Sequence, residues 1–181
     1  MPILNIESSG AVFSCRLEDW LESPNEKHVW QLILTRILQY GFVGRSATLI
    51  TATPMPWSIG HLLGNAKSLR IDQTEFLITY IRECSLELLA DVAESEDFQR
   101  GLLWLSALDP TEQAQLAALI ERVSKTAAHR PEADCEMVML LDDSRWIHWL
   151  YPGRDAKRLG VEVLNMASQF GWPVSGSNEP S

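Results

Sequence analysis

Two consecutive segments near the end of the chain have apolar residues at successive positions and not only at every second position. EMVMLL occupies 136–141 and RWIHWLY occupies 145–151, with the turn residues DDS between them. In a strand over the second segment, alternation would place Trp146 and His148 on one face and Trp149 on the other. A strand with one face in water alternates apolar with polar residues, so these segments predict a hairpin that is covered on both faces.

The other patterns divide into short strands and longer helices. ILNI and AVFSCR flank the turn residues SSG and predict an N-terminal hairpin, and the β-branched run SATLITAT predicts a middle strand. Apolar spacing and start signals predict helices over about 24–40, 72–93, 95–108, 109–128 and 154–170. The segment WSIGHLLGNAKSLR reads equally as a loop or a short helix.

The best-marked helix starts are two capping boxes. Ser23 and Glu26 flank Pro24 in the first box, and Asp72 and Glu75 form the second. Gly41 is expected to end the first helix, and Gly171 the last.

The order of these elements predicts an α+β fold, a small and mainly antiparallel sheet packed with about five helices. The sheet would contain the N-terminal hairpin, the middle strand and the C-terminal hairpin. A chain of 181 residues with 46% hydrophobic residues is expected to form one domain, over 1–173. The polar residues 174–181 predict a flexible tail.

Composition restricts the classes of function. The formal net charge of −9 argues against binding of nucleic acid, and the N-terminus MPILNIESSG has neither the basic nor the apolar region of a targeting segment. We therefore expect a cytoplasmic protein without membrane contact, in which Cys15, Cys84 and Cys135 are buried reduced thiols. Scattered histidines and the lack of phosphate-loop, zinc and hydrolase motifs predict no cofactor and no metal.

The negative charge is concentrated in one part of the chain. Between Glu83 and Glu121 there are nine carboxylates and one base, Arg100. On the helix predicted over 72–93, one edge would carry residues four apart: Glu75, Thr79, Glu83, Glu87 and Asp91, with Glu94 following. Like charges at this spacing destabilise a helix by a few tenths of a kcal/mol each, so the edge is either a solvated face or a docking surface for a basic partner.

The leading functional hypothesis is a non-catalytic protein-binding module, of the inhibitor, immunity-type or adaptor kind. Small proteins that mask a basic enzyme often present such an acidic surface, which is an analogy of character and not a family resemblance. The predicted partner-binding residues are an acidic set and two aromatic anchors: Glu83, Glu87, Asp91, Glu94, Trp149 and Tyr151.

Two other hypotheses stay open. A small enzyme would use His148 with Asp142 or Asp143, or else His61, although turn aspartates are common for local reasons and a strand histidine is more often structural. A subunit of a larger complex would explain seven tryptophans in a chain of this length. The aromatic face of the C-terminal hairpin would then be either an anchor for a partner or the wall of a core.

Overall fold

The computed structural model describes residues 2–9, 12–17, 21–52, 66–71, 73–95, 103–106, 137–141, 146–150 and 156–175. In these ranges the chain forms nine strands and three helices. The strands are β1 (Leu4–Ser9), β2 (Val12–Leu17), β3 (Ala47–Ala52), β4 (Lys67–Ile71), β5 (Thr74–Ile81), β6 (Leu103–Ser106), β7 (Met137–Leu141), β8 (Trp146–Leu150) and β9 (Val174–Ser175). The helices are α1 (Pro24–Phe42), α2 (Leu86–Glu94) and α3 (Ala156–Gln169).

All nine described strands join one sheet, in the order β4-β5-β3-β6-β7-β8-β2-β1-β9. Every neighbouring pair is antiparallel except β1 and β9. The α+β class is confirmed, and so are the N-terminal hairpin, the middle strand and the C-terminal hairpin. The sheet is larger than predicted because β4, β5, β6 and β9 lie in segments whose sequences do not predict strands.

The start of α1 follows from its sequence. The Ser23 side chain accepts a hydrogen bond from the backbone N–H of Glu26 at 3.2 Å, and the Glu26 carboxylate accepts one from the N–H of Ser23 at 3.0 Å. Pro24 occupies the first turn, where its missing N–H leaves no bond unmade. These bonds satisfy donors at the helix start, which confirms the predicted capping box.

The end of α1 lies beyond the predicted residue. Gly41 is buried inside the helix, and the turn out of the helix is made at Gly44, whose φ is +69°. The apolar stripe explains the extension, because Leu38 and Phe42 are four residues apart and both face the core. Gly41 is therefore a small residue in the packed stripe, and the prediction that it ends the helix is wrong.

Helix α3 ends in a Schellman motif. The N–H of Trp172 donates to the carbonyl of Ala167 at 2.9 Å, and the N–H of Gly171 donates to the carbonyl of Ser168 at 3.0 Å. Gly171 has a φ of +71°, a left-handed conformation that glycine adopts without strain. Trp172 and Ala167 are both buried, and they occupy the two positions whose apolar contact commonly accompanies this cap. The predicted stop at Gly171 is confirmed.

We expect Gly171→Ala to lower the free energy of unfolding by about 1–2 kcal/mol, because a Cβ is disfavoured at this backbone conformation. An added Cβ would meet no atom within 4 Å, so steric contact adds nothing to that cost. Chemical denaturation measures the change. Ser168→Ala, on the exposed side of the same helix, is the control and should alter stability by less than about 0.5 kcal/mol. Equal stabilities for Gly171→Ala and the natural chain would show that the left-handed turn is not needed.

The three described helices lie on one face of the sheet. One buried cluster combines residues of α1, α2 and α3 with alternate residues of the strands, among them Leu4, Phe13, Cys15, Leu49 and Leu105. Arg36 of α1 also donates to Glu162 of α3, with a shortest N–O distance of 2.7 Å. Ile50, Phe76 and Ile78 are buried outside this cluster, at the intervening positions of β3 and β5. The sheet therefore buries apolar side chains on both faces.

The long helix predicted over 72–93 is wrong. This stretch contains β5, a turn at 82–83 and the short helix α2. Both periods were present in the sequence: Leu77 and Ile81 fit a helix, while Phe76 and Ile78 fit a strand. Pairing of β5 with β3 over six residue pairs decides between them, and this long-range contact has no local signature.

Other predicted elements also differ from the structure. Leu103–Ser106, predicted as part of a helix, is β6 because it pairs with β3, and the undecided stretch before 71 contains β4. The count of about five helices is not matched, since the described residues contain three, and the helix predicted over 109–128 lies outside them. Val174 and Ser175, assigned to the tail, pair with β1 in β9.

Candidate functional site

The acidic residues predicted to share one helical edge belong to three different elements. Glu75 lies on β5, where its carboxylate accepts a hydrogen bond from the hydroxyl of Ser68 on β4. Thr79 is buried in the same strand, and its hydroxyl has no hydrogen-bond partner among the described residues. Glu83 lies in the turn before α2. The single helical edge predicted from Glu75 to Asp91 therefore does not exist.

Three of the carboxylates do share one edge, and that edge belongs to α2. Its N-cap is Ser85, whose side chain accepts from the N–H of Leu88 at 3.1 Å. From this start, Glu87, Asp91 and Glu94 are spaced by four and three residues and are exposed. Side chains at that spacing lie above one another on a helix. These three residues of the predicted acidic surface thus share an edge, but it is the edge of a shorter helix that is capped by Ser85.

A short apolar line runs beside this acidic edge. Leu86 is 57% exposed, and Ala90, one turn later, is half-buried. The opposite side of α2 enters the core through Leu88, Leu89, Val92 and Ala93. We call the solvent side the α2 outer face and define it by five residues: Leu86, Glu87, Ala90, Asp91 and Glu94.

Sequence reasoning missed Leu86 as part of this surface. Ser85 was the available signal, since a serine followed by an apolar run is typical of a helix start. A helix beginning there would have placed Leu86 in its first turn.

The N-terminal end of the α2 outer face adjoins the end of α1. Val43 forms a parallel bridge with Cys84, and the N–H of Gly44 donates to the carbonyl of Cys84 at 2.9 Å. The N–H of Cys84 in turn donates to the carbonyl of Arg45 at 2.7 Å. These bonds hold the α1 end against the start of α2, with Val43 44% exposed. An exposed apolar residue is therefore paired with the chain two residues before Leu86.

The described cations do not neutralise the α2 outer face. Among the described residues, Arg36 and Arg158 pair with Glu162, with N–O distances of 2.7 and 3.6 Å. The last turn of α2 carries no basic residue, although the negative end of the helix dipole favours one there. Glu94 instead adds a negative charge at that end. The carboxylates of this face are thus exposed and lack a cation from the described ranges.

The aromatic anchors cannot be placed with the acidic residues. Trp149 lies on β8, opposite Phe13 of β2 and Val138 of β7, so β8 is an interior strand of the sheet. The backbone of Trp149 is described, whereas its side chain and the whole of Tyr151 are outside the described residues. Their role as anchors stays a prediction.

Most residues of the enzyme hypothesis lie outside the described residues. His148 lies on β8 between Ser14 and Met139 in the register, while Asp142, Asp143 and His61 are outside the described residues. The pairing of His148 with an aspartate stays a prediction.

An open cleft of about 450 Å³ lies at the β4–β5 hairpin. Its walls are polar: Ser68, Arg70, Gln73, Thr74 and Glu75. Small-molecule sites are lined mainly by apolar and aromatic side chains with a few polar groups, and this cleft lacks such a lining. The α2 outer face is therefore the better candidate for a functional surface.

The cysteine prediction is confirmed where the structure describes the residues. Cys15 and Cys84 are buried free thiols, and Cys135 lies outside the described residues. Burial raises the pKa of the Cys84 thiol to about 11 and also raises the pKa of Cys15. Both thiols are therefore protonated and poorly reactive near neutral pH.

Because the folded state binds these thiol protons more tightly than the unfolded state, the associated stability is complete below about pH 9. It is lost as pH rises from about 9 through the folded pKa. We expect the free energy of unfolding to fall above pH 9, by at most about 1.4 kcal/mol per pH unit for each thiol. Denaturation at pH 8 and pH 10.5 measures this loss, and Cys84→Ala should reduce it. Rapid modification of both thiols in the native protein at pH 8 would contradict their burial.

No three or more His, Cys, Asp or Glu side chains form a potential metal site within the ranges described. The described helices include none with the length and apolar character needed to cross a membrane.

Comparison of the chain with models of protein families, with curated proteins and with solved structures finds no match.

Proposed function

We propose that this chain is a non-catalytic protein-binding module, of the inhibitor, immunity-type or adaptor kind, that binds a basic protein partner through the α2 outer face. The observation that carries the proposal is the set of exposed carboxylates Glu87, Asp91 and Glu94 on one helical edge without a cation from the described ranges. Glu83, in the turn before the helix, belongs to the same binding surface.

Local electrostatics supports a functional reason for these residues. Glu87 and Asp91 are four residues apart and repel each other, while Glu94 opposes the helix dipole at the C-terminal end. Glu87 alone is placed well, in the first turn where the dipole favours an acid. Departures from local stability rules in natural proteins concentrate at functional sites, and a cationic partner would relieve both unfavourable interactions.

The exposed Leu86 supports a docking surface over a merely solvated one. A face that serves solubility alone needs no exposed large apolar side chain. The α2 outer face has charges of one sign next to an exposed leucine and a half-buried alanine. This combination of an apolar contact and a charged border is the usual composition of a protein interface.

The proposal includes a cytoplasmic location, which the buried unpaired thiols Cys15 and Cys84 support, since free thiols are typical of reducing compartments. It also keeps Trp149 and Tyr151 as predicted anchors that would extend the interface.

Affinity capture from the native host tests the proposal. Glu87→Gln with Asp91→Asn is expected to lower the amount of captured basic partner by about tenfold, since removing interfacial charge slows association and weakens binding. Asn165→Lys with Ser168→Lys, at exposed positions of α3, is the control. It produces the same net charge, −9 + 2 = −7, and should leave capture unchanged.

Capture by the natural chain should also fall steeply between low and physiological salt. Equal loss in both double variants would show that the total charge, and not the α2 outer face, attracts the partner. Capture that neither pair of changes alters would refute the proposed surface.

A further inference from the structure

The α2 outer face has two parallel lines of side chains, which restricts the shape of its partner. Leu86 and Ala90 form the apolar line, and Glu87, Asp91 and Glu94 form the acidic line. Successive residues of a helix are about 100° apart, so the lines lie side by side, and a partner must contact both at once. Along the helix axis the acidic line extends about 10 Å.

The apolar line has a large residue followed by a small one. Leu86 projects into solvent with 57% of its surface exposed, whereas the single methyl group of Ala90 is half-buried. Because residues four apart form a row on a helix surface, the leucine of this row is followed by a much smaller side chain, one turn after Leu86. A side chain of a partner can pack over Ala90 while Leu86 enters a gap on the partner.

A helical partner satisfies these requirements better than an extended one. Side chains of a strand point alternately to opposite faces, so one strand presents a single line of residues to a surface. A helix presents adjacent lines, and its rows of residues four apart fit between the rows of a second helix. Such a helix can therefore pack over Leu86 and Ala90 and reach the acidic line at the same time.

The charges determine the composition of that helix. Its apolar side chains would cover Leu86 and extend toward Val43, which is exposed at the N-terminal end of α2. Lysines or arginines along the border of its apolar stripe would lie opposite Glu87 and Asp91. A second copy of this chain would bring its own α2 carboxylates against these, so self-association through the same face is disfavoured.

We infer that the partner docks as a basic amphipathic α-helix packed along α2, with its apolar stripe over Leu86 and Ala90 and its cations against the acidic line. This inference rests on the proposed function and specifies the partner's form. Binding removes Leu86 from water and therefore depends on this side chain. A purely electrostatic encounter would not depend on it.

Two peptides of identical composition test the inference on the full chain. In the first, leucine and lysine are arranged with the spacing of an amphipathic helix of about five turns, and in the second they alternate as in a strand. We expect the helical peptide to bind about tenfold more tightly by fluorescence anisotropy, since both carry the same charge and one matches the two lines. Leu86→Ser should weaken its binding by about tenfold. Val161→Ser, at a similarly exposed position of α3, should change it by less than about twofold.

The outcomes separate the inference from the proposed function. Equal binding of both peptides, lost with Glu87→Gln and Asp91→Asn but unaffected by Leu86→Ser, would overturn the helical partner and keep the acidic surface. Binding of neither peptide, or binding that the two charge changes leave unaltered, would overturn both. Sedimentation experiments could instead show a dimer that Leu86→Ser converts to monomer. The occupant of the α2 outer face would then be a second copy of this chain and not a partner helix.

Discussion

Leu89→Ala is expected to lower the free energy of unfolding by about 2–5 kcal/mol, whereas Leu86→Ala, on the same helix, should change it by less than about 0.5 kcal/mol. Leu89 is fully buried in the cluster that joins α2 to α1 and the sheet, and its truncation would leave a cavity. Leu86 has 57% of its surface exposed and loses little packing when truncated. Chemical denaturation of both variants measures the difference.

The two leucines are matched in type and lie three residues apart in one helix, and leucine and alanine differ little in helix propensity. Similar losses for Leu86→Ala and Leu89→Ala would mean that α2 is packed in another orientation, and the α2 outer face would then be wrongly defined. A large loss of peptide binding in Leu86→Ala with unchanged stability would separate the docking role of this leucine from any structural role.

Asp91→Lys is expected to change stability and binding in opposite directions. The lysine would follow Glu87 by four residues, which replaces a repulsion with a favourable pair, and it would better suit the end of the helix. We expect the free energy of unfolding to rise by about 0.5–1 kcal/mol. Binding of the helical leucine–lysine peptide should weaken by about tenfold to a hundredfold, because a lysine would face the cations of the peptide.

The neutral variant Asp91→Asn is the control, with an intermediate effect on binding and little on stability. Isothermal titration and denaturation give the two quantities for the same preparation. If Asp91→Lys destabilised the protein, the carboxylate would have a partner within the chain. If it left binding unchanged, the acidic line would not be a contact surface.

The acidic surface shows why a correct local pattern led to a wrong element. The spacing of Glu83, Glu87 and Asp91 satisfied a helix, and Asp72 with Glu75 satisfied a capping box. In the structure Glu75 lies in β5, and its carboxylate is bonded to Ser68 on the neighbouring strand. A capping box is a short-range signal, and the pairing of β5 with β3 and β4 overrides it at Glu75. The sequence thus identified the acids of α2 but not the start of their helix.

Elements that are stabilised mainly by contacts near in sequence were determined by the sequence itself. The cap of α1 at Ser23, the stop of α3 at Gly171 and the N-terminal hairpin follow from bonds between residues at most 13 positions apart. Only the tertiary structure decided that β5 and β6 are strands, because both pair with β3 across the sheet. It also decided that Leu86 faces solvent while Leu89 is buried, since α2 can be oriented only once α1 and the sheet provide a surface to cover. Short-range hydrogen bonds are encoded where they form, whereas burial and strand pairing depend on which distant residues the folded chain brings together.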